Sequence, residues 1–352
     1  MAASPQDIRW LTGPSAEEPL RIAMAIGDSL AASRQLRRHL SADQTRLVVE
    51  QADLRRRAKA KFSRAAEMFF TRVGLEQATD ETIAAYKAGR FARRGRVADL
   101  CCGIGGDLIA LASRAETTGY DLDESLLRFA SENALAYNTK AELRCEDVTS
   151  LDLSPFDAWH IDPDRRAAGR RSVQLEHHQP DLLALESMLR TNPNAAVKLS
   201  PATAPPPEWS RRFELEWISH ARECKQLVAW HGQLTECVGA RRATALDSHG
   251  EPSTFLAQPA NPPAAANSIG SHLYEPDSAV IAANLTGALA QLHELRPLAP
   301  GAVYLTSDQR VMDRLLSAFE VLAVESWSEK KIGSLLAKFD IGALEVKKRG
   351  VP

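Results

Sequence analysis

The stretch Arg96-Val-Ala-Asp-Leu-Cys-Cys-Gly-Ile-Gly-Gly-Asp107 decides the fold of this chain. Val97 to Leu100 is apolar apart from one acid and predicts a short buried strand. Gly103, Gly105 and Gly106 then allow a tight turn in which the backbone can approach a ligand. A helix begins in the apolar run that follows. Strand, glycine loop and helix in this order predict the ligand-binding opening of a doubly wound α/β sheet.

Acidic residues around this loop narrow the choice of ligand. Asp121 ends a second predicted strand and lies 22 positions after Asp99, where an acid can bind ribose hydroxyls. No Gly-Lys-Ser/Thr follows the loop, and Asp99 would repel a pyrophosphate. A cationic ligand with a ribose fits better, and S-adenosylmethionine is such a ligand. These residues therefore favour a loop that binds S-adenosylmethionine over an ordinary βα turn that binds no ligand. Cys101 lies in the same loop, and we expect it to bind the cofactor as well. Asp147 follows the third strand and either accepts from the adenine amino group or is a plain turn acid.

Composition sets outer limits on the function. The 352 residues carry a net charge of −2, with 44% hydrophobic and 25% charged residues, which is typical of a globular protein of two or three domains. The five cysteines include no Cys-x-x-Cys pair and the nine histidines show no ligand spacing, so we expect neither disulfides nor a metal. Without a membrane-length apolar run or a signal-like N-terminus, we expect a cytoplasmic protein with no membrane partner.

The apolar spacing predicts three structured regions. Residues 1–95 are expected to form a helical domain, with helices at 17–40, 45–73 and 80–90. Residues 96–250 alternate strand and helix, with strands near 97–100, 116–120, 142–145, 157–161 and 195–199, and a closing hairpin of 213–226 with 237–246. Residues 251–271 have the composition of an irregular linker. Residues 272–352 predict a small α+β domain with helices at 277–295, 309–319 and 329–338 and strands at 302–306, 321–326 and 343–346.

Basic residues concentrate on the second predicted helix. They are Arg46, Arg55, Arg56, Arg57, Lys59, Lys61 and Arg64. Such a run is either a solvated helix face or a surface for nucleic-acid phosphates. Composition alone leaves both interpretations open.

The loop after the fourth strand, Asp162-Pro-Asp-Arg-Arg166, carries the proposed chemistry. The carboxyl ends of neighbouring strands face one crevice, so this loop should lie near the glycine loop. Methylation of an amine needs acceptors that orient its hydrogens, and the Asp162 carboxylate and Pro163 carbonyl can provide them. We therefore expect Asp162, Pro163 and Arg165 to be catalytic residues, with Arg166 holding a substrate phosphate. Lys198, after the fifth strand, either contacts substrate phosphate or pairs with Asp162 or Asp164.

Several motifs together resemble class I S-adenosylmethionine-dependent methyltransferases. The motifs are Asp99-Leu-Cys-Cys-Gly-Ile-Gly-Gly-Asp107, Tyr120-Asp-Leu-Asp123, Asp162-Pro-Asp-Arg-Arg166, Leu75-Glu-Gln-Ala-Thr79, Val197-Lys-Leu-Ser-Pro201, Tyr274-Glu-Pro-Asp277 and Val346-Lys-Lys-Arg-Gly350. The chain resembles most the bacterial group with a THUMP-like C-terminal domain, related to trimethylguanosine synthase-type RNA methyltransferases. The resemblance implies a Rossmann-like core and a ferredoxin-like C-terminal module associated with RNA binding. It also implies cofactor binding through Asp99, Gly103, Gly105, Asp121 and Asp147.

One departure bears on the substrate. Amino-methyltransferases of this type usually have Pro and an aromatic residue where this chain has Asp164 and Arg165. We predict a methyltransferase that acts on a base nitrogen of RNA. The alternatives are methylation of a small phosphorylated molecule or a protein side chain, and a non-catalytic RNA-binding protein on a methyltransferase scaffold.

Overall fold

The structure, a computed structural model, describes residues 4–91, 95–164, 166–167, 170–171, 174–326, 328–339 and 345–346. The chain forms two compact units. Unit 1 comprises Met1–Gln258 with Ser278–Leu285, and unit 2 comprises Pro259–Asp277 with Thr286–Pro352. The helical region predicted for residues 1–95 thus lies in the same unit as the main sheet.

Helices dominate the N-terminal part of unit 1, as the apolar spacing predicts. They are α1 (Pro5–Leu11), α2 (Glu17–Ile26), α3 (Ser29–Leu36), α4 (Ala42–Ala58), α5 (Arg72–Gln77) and α6 (Glu81–Ala88). The helix predicted over 17–40 is interrupted at Gly27, where φ is 75°, and Asp28 caps the helix that follows. Ser41 begins α4 with a capping box that includes Gln44.

A mixed sheet with its connecting helices forms most of the rest of unit 1. Its elements are β1 (Arg96–Leu100), α7 (Gly106–Ala112), β2 (Glu116–Asp121), α8 (Glu124–Ala136), β3 (Glu142–Cys145), β4 (Ala158–Ile161), α9 (Leu182–Thr191), β7 (Ala195–Leu199), α10 (Trp209–Arg212), β8 (Glu214–His220), β9 (Glu223–His231), β10 (Arg241–Leu246) and β11 (Pro252–Ala257). The short pair β5 (Arg166–Ala167) and β6 (Arg170–Arg171) stands apart from it.

The strand order is β11-β10-β8-β9-β7-β4-β1-β2-β3. The strands from β3 to β7 are parallel, while β9 is antiparallel to both of its neighbours. The chain runs from β1 outward to β3 and then crosses back to β4 on the other side of β1. The carboxyl ends of β1 and β4 are therefore the switch point at which open α/β sheets bind ligands.

Two predictions for the end of this sheet were wrong. The hairpin joins β8 to β9 through Ala221 and Arg222, both at positive φ, and β10 runs parallel to β8. These turn residues are neither Gly nor Asn, so no hairpin signal was present in the sequence. The predicted linker 251–271 contains strand β11, which pairs antiparallel with β10 at the edge of the sheet. An edge position tolerates Pro252, whose presence favoured the linker interpretation.

Unit 2 contains a small antiparallel sheet, in the order β13-β14-β12-β15. Its elements are β12 (His272–Pro276), α12 (Thr286–Leu292), β13 (Arg296–Pro297), β14 (Leu305–Ser307), β15 (Leu316–Glu320) and α13 (Glu329–Leu336), while α11 (Ser278–Ala282) belongs to unit 1. The helix predicted at 309–319 is wrong, because a loop and then β15 occupy those residues. No strand occurs at 321–326. The strand predicted at 343–346 lies largely outside the described residues.

Candidate active site

A cavity of about 1030 Å³ opens in unit 1 at the carboxyl ends of β1, β2 and β4. The predicted site residues that line it are Asp99, Cys101, Gly103, Asp121, Asp147, Asp162 and Pro163. Segment 71–79, which contains α5, lines another part of it together with residues 177–181. The sheet topology thus brings together side chains that are far apart in the sequence.

The glycine loop is shaped by positive backbone angles. Gly103 has φ 54° and Gly105 has φ 90°, and a Cβ on Gly103 would meet no atom within 4 Å. The Gly103 N–H donates to Asp121 Oδ2 at 2.9 Å, and the Asp123 N–H donates to Asp121 Oδ1 at 3.0 Å. Asp121 therefore ties the loop to the end of β2. Gly105 is buried where α7 begins, against Ala130, and does not line the cavity.

Asp99 belongs to a buried polar network beneath the loop. His160 Nδ1 lies 2.7 Å from Asp99 Oδ1, and His160 Nε2 lies 3.4 Å from Lys87 Nζ. Lys87 forms an ion pair of 2.7 Å with Asp107, which also accepts a hydrogen bond of 2.7 Å from the Thr79 hydroxyl. Burial raises the pKa of Asp99, and the hydrogen bond with His160 opposes that rise. Burial alone would raise the pKa of Asp107 as well, but Lys87 and the other basic groups nearby together outweigh burial and lower it.

Lys87, His160, Asp107 and Thr79 were not among the predicted site residues. The available signal was a polar residue inside an apolar strand, since His160 interrupts Ala158–Ile161. Lys87 gave a weaker signal, because a lysine on a helix is usually solvated. Here it is 2% exposed.

Asp162, after β4, lines a further part of the cavity wall. Lys198 is buried and forms an ion pair with Asp162, and its ammonium also donates to the Gln77 carbonyl at 3.3 Å. This is one of the two roles that the sequence left open for Lys198, which does not line the cavity. Asp164 and Gln179 exchange two backbone hydrogen bonds of 2.9 Å. Arg165 lies outside the described residues, and only the backbone of Arg166 is described, in β5.

Segment 71–79 is held by hydrogen bonds near its C-terminal end. Lys61 Nζ donates to the carbonyls of Leu75, Glu76 and Ala78 at 2.8, 3.1 and 2.8 Å. The Gln77 amide donates to Asp164 Oδ1 at 3.2 Å. Lys61 therefore satisfies the carbonyls at the C-terminal end of α5, where a cation is favoured.

Two of the basic residues that the sequence places on the second predicted helix, Arg55 and Lys61, bind backbone carbonyls. Arg55 is buried, donates to the Met68 carbonyl at 2.8 Å and has its guanidinium 4.8 Å from the centroid of the Phe69 ring. Lys61 binds the three carbonyls described above. Neither residue therefore belongs to a solvated helix face or to a surface for nucleic-acid phosphates. Arg57 and Lys59 are exposed, and for them both interpretations stay open.

Asp147 is exposed at the rim of the cavity. Its Oδ1 accepts from the Thr149 N–H at 2.9 Å and from the Thr149 hydroxyl at 2.8 Å, and these bonds lower the pKa of Asp147. The side chain therefore caps the turn at Val148–Ser150.

Asp99 presents a carboxylate oxygen that is open to a ligand. Asp99 is 1% exposed, and its Oδ2 is buried and accepts no hydrogen bond from the residues that the structure describes. Desolvating a carboxylate oxygen is costly unless it gains a donor. The ammonium of the methionine part of S-adenosylmethionine is such a donor, and a cavity of about 1030 Å³ is large enough for the cofactor. The residues present thus fit this cofactor.

Within the described part of the chain, no group of three or more His, Cys, Asp or Glu residues could hold a metal ion. In the same residues, no helix has the length and apolar character that crossing a membrane requires.

Known proteins similar to this chain are methyltransferases. Residues 97–168 match the family model described as a methyltransferase domain. An uncharacterized S-adenosylmethionine-dependent methyltransferase of Mycobacterium tuberculosis is 33% identical over 325 residues, which cover 88% of this chain and 86% of the relative. The crystal structure of a candidate methyltransferase from Porphyromonas gingivalis W83 has a TM-score of 0.69 at 22% identity, covers 96% of this chain and 88% of that chain, and shows a shared fold. The chain therefore belongs to the S-adenosylmethionine-dependent methyltransferases and is an enzyme that uses S-adenosylmethionine as its cofactor.

Proposed function

We propose that this enzyme transfers the methyl group of S-adenosylmethionine to a nitrogen atom of an RNA base. The observation that carries the proposal is the position of Asp162 and Pro163 in the same cavity as the glycine loop, at the switch point between β1 and β4. An acceptor held by Asp162 would there lie beside a cofactor held by Asp99 and the loop.

The cofactor supplies an electrophilic methyl group, and the chain's residues would position it. Asp99 would bind the ammonium, and Asp121 the ribose hydroxyls. Cys101, Gly103 and Gly105 would shape the loop, and Asp147 would accept from the adenine amino group. Asp121 and Asp147 already accept hydrogen bonds from the protein, so they would share their remaining lone pairs with the ligand.

The acceptor nitrogen would be oriented by hydrogen bonds to the Asp162 carboxylate and the Pro163 carbonyl. The described lining is rich in carboxylates and includes no Lys or Arg. This composition supports a reacting group that donates N–H bonds, such as an exocyclic amine, over a phosphate at the reacting centre. Arg165 and Arg166 would hold a phosphate farther along the substrate. Lys198 would orient Asp162 instead of binding substrate.

Unit 2 would be the RNA-binding module of THUMP-like type. Its antiparallel sheet and helices support an α+β module. The order of elements departs from the β-α-β-β-α-β pattern of ferredoxin-like folds, in which the second helix precedes the last strand. Here α13 follows β15, the last described strand. Arg310 and Arg314 are exposed on its loop before β15 and are available to phosphates.

A second candidate is favoured by one observation. The described cavity lining contains no Phe, Tyr or Trp on which a base could stack. A small amine or a protein side chain needs no such platform, so the enzyme would then methylate that acceptor through the same Asp162.

The test is transfer of tritiated methyl groups from S-adenosylmethionine into separate pools of RNA, small molecules and protein. We expect ribonuclease-sensitive label, and a rate lowered roughly 100- to 1000-fold in Asp162→Asn. S-adenosylhomocysteine should bind this variant within about twofold of wild type, because Asp162 is assigned to the acceptor. Label in another pool would favour the second candidate. Full activity of Asp162→Asn would overturn the assigned role of Asp162.

A further inference from the structure

The contacts of His160 fix which of its ring nitrogens carries hydrogen. An ionised carboxylate only accepts, so Nδ1, at 2.7 Å from Asp99 Oδ1, must be the donor. The Lys87 ammonium only donates, so Nε2, at 3.4 Å from it, must be the acceptor. Lys87 and Asp99 thus select the same tautomer of His160, which is only 1% exposed. Asp107 Oδ2 lies 3.8 Å from Nε2, beyond hydrogen-bonding distance, and does not change this assignment.

The charges around this histidine are balanced except at Asp99. The Lys87 ammonium pairs with Asp107 and also donates to the Gln226 side-chain oxygen, with 3.4 Å between nitrogen and oxygen. Asp107 is further satisfied by the Thr79 hydroxyl. The network then retains one negative charge, on Asp99. Its Oδ1 is used by His160, and among the described residues its Oδ2 has no hydrogen-bond partner.

We propose that His160, held by Lys87, is a positioning residue that directs the Asp99 carboxylate so that Oδ2 binds the cofactor's ammonium and selects for cofactors that carry this amino group. The inference rests on the proposed contact between Asp99 and the cofactor and is independent of the acceptor. Without the bond to Nδ1–H, the Asp99 carboxylate could rotate, and the energy of a charge-assisted hydrogen bond to the ammonium would be lost.

The experiment measures cofactor selectivity in the full-length protein. Calorimetry compares S-adenosylhomocysteine with its analogue that carries hydrogen in place of the amino group. We expect wild type to prefer the aminated ligand roughly 10- to 100-fold. His160→Leu should reduce this preference to less than about threefold, mainly by weakening the aminated ligand, as loss of one charged hydrogen bond predicts.

The matched control is His160→Asn, since the Asn amide can occupy the place of Nδ1–H and donate to Asp99. It should retain most of the preference, which a purely structural role would not explain. An unchanged preference in folded His160→Leu overturns the proposal. Neither ligand transfers a methyl group, so this failure would leave the acceptor assignment standing.

A second measurement needs no variant. Nitrogen-15 NMR of the imidazole in wild-type protein should show hydrogen on Nδ1 and none on Nε2, with and without S-adenosylhomocysteine. Hydrogen on Nε2 would overturn the proposal even if His160→Leu fails to fold.

Discussion

At the scale of single residues, Gly106 marks a close approach between the glycine loop and the backbone of segment 71–79. A Cβ on Gly106 would lie 3.1 Å from the Thr79 carbonyl oxygen and 3.2 Å from the Ala78 Cβ. Since backbone atoms cannot move aside easily, Gly106→Ala should push residues 78 and 79 away from the cavity. We expect calorimetry to show S-adenosylhomocysteine binding weakened about tenfold, a loss of roughly 1.4 kcal/mol.

Gly89→Ala is the matched control for this change. Gly89 ends α6 with φ −56°, and an added Cβ would meet nothing within 4 Å. Cofactor affinity should stay the same and the free energy of unfolding should rise by about 0.4–1 kcal/mol. Equal cofactor affinity in Gly106→Ala and wild type would show that the contact does not shape the site.

Asn133 joins three backbone groups in the core of unit 1. It is 0% exposed and bonds the Phe69 N–H at 2.6 Å and the carbonyls of Phe69 and Ile104, both at 2.9 Å. Asn133→Leu would leave these groups buried without partners, so we expect a loss of roughly 3 kcal/mol or more in urea unfolding. Leu135→Asn, at an exposed position of the same helix, should change stability by less than about 1 kcal/mol. Similar losses in the two variants would contradict the bridging role of Asn133.

The sequence was informative about residues whose position follows from strand order. Asp99, Asp121 and Asp162 each lie at the end of a parallel strand, so one sheet edge collects them. The partners of Lys87 could not be predicted in this way. They come from α7, β4 and β9, and contacts between a helix and distant strands depend on packing that no local pattern encodes.

At the scale of elements, α5 depends on a single lysine. Burial, together with the like charge of Lys198, lowers the pKa of Lys61 to about 8 from 10.5. Between these values the unfolded chain binds more protons than the folded one, so this group adds stability as pH rises from about 8 to 10.5. The difference in unfolding free energy between wild type and Lys61→Met should therefore increase across this range in urea titrations.

At pH 7 the same substitution should destabilise the protein by about 1–3 kcal/mol, because the carbonyls at the end of α5 lose their donor. Lys59→Met, at an exposed position nearby, should change stability by less than about 0.5 kcal/mol. A pH-independent difference between wild type and Lys61→Met would mean that Lys61 does not titrate in this window.

Elements were predictable where periodicity and end signals agree. The first five strands of the sheet and α6 follow their patterns closely, because buried apolar runs between caps and glycines define them. The edge strand β11 and strand β15 were missed since nearly all of their residues are exposed or only partly buried. Such strands are specified by the neighbour with which they pair, and the neighbour is not visible in a local window.

At the scale of the whole molecule, the candidate active site lies within one of the two units. The residues that line the large cavity all belong to unit 1. Unit 1 also includes α11, where Ala279 and Val280 are 0% exposed. The chain thus leaves unit 1 after Gln258, returns for Ser278–Leu285 and leaves again. The sequence did not predict this path, because the composition of residues 251–271 indicated a linker between two separate domains.

This division predicts where cofactor binding stabilises the protein. A ligand that binds only the folded state stabilises it by about 2.7 kcal/mol at 100 times its dissociation constant. Hydrogen–deuterium exchange with S-adenosylhomocysteine at that concentration should therefore slow in peptides of unit 1, most of all in β1, the glycine loop and segment 71–79. Peptides of β12, β14 and β15 should exchange at the same rate with and without ligand. Asp99→Asn, which weakens the proposed ammonium contact, should reduce the protection of unit 1 at equal ligand concentration. Comparable slowing in unit 2 would show that the two units open together, and that the cofactor acts on the whole chain as one cooperative body.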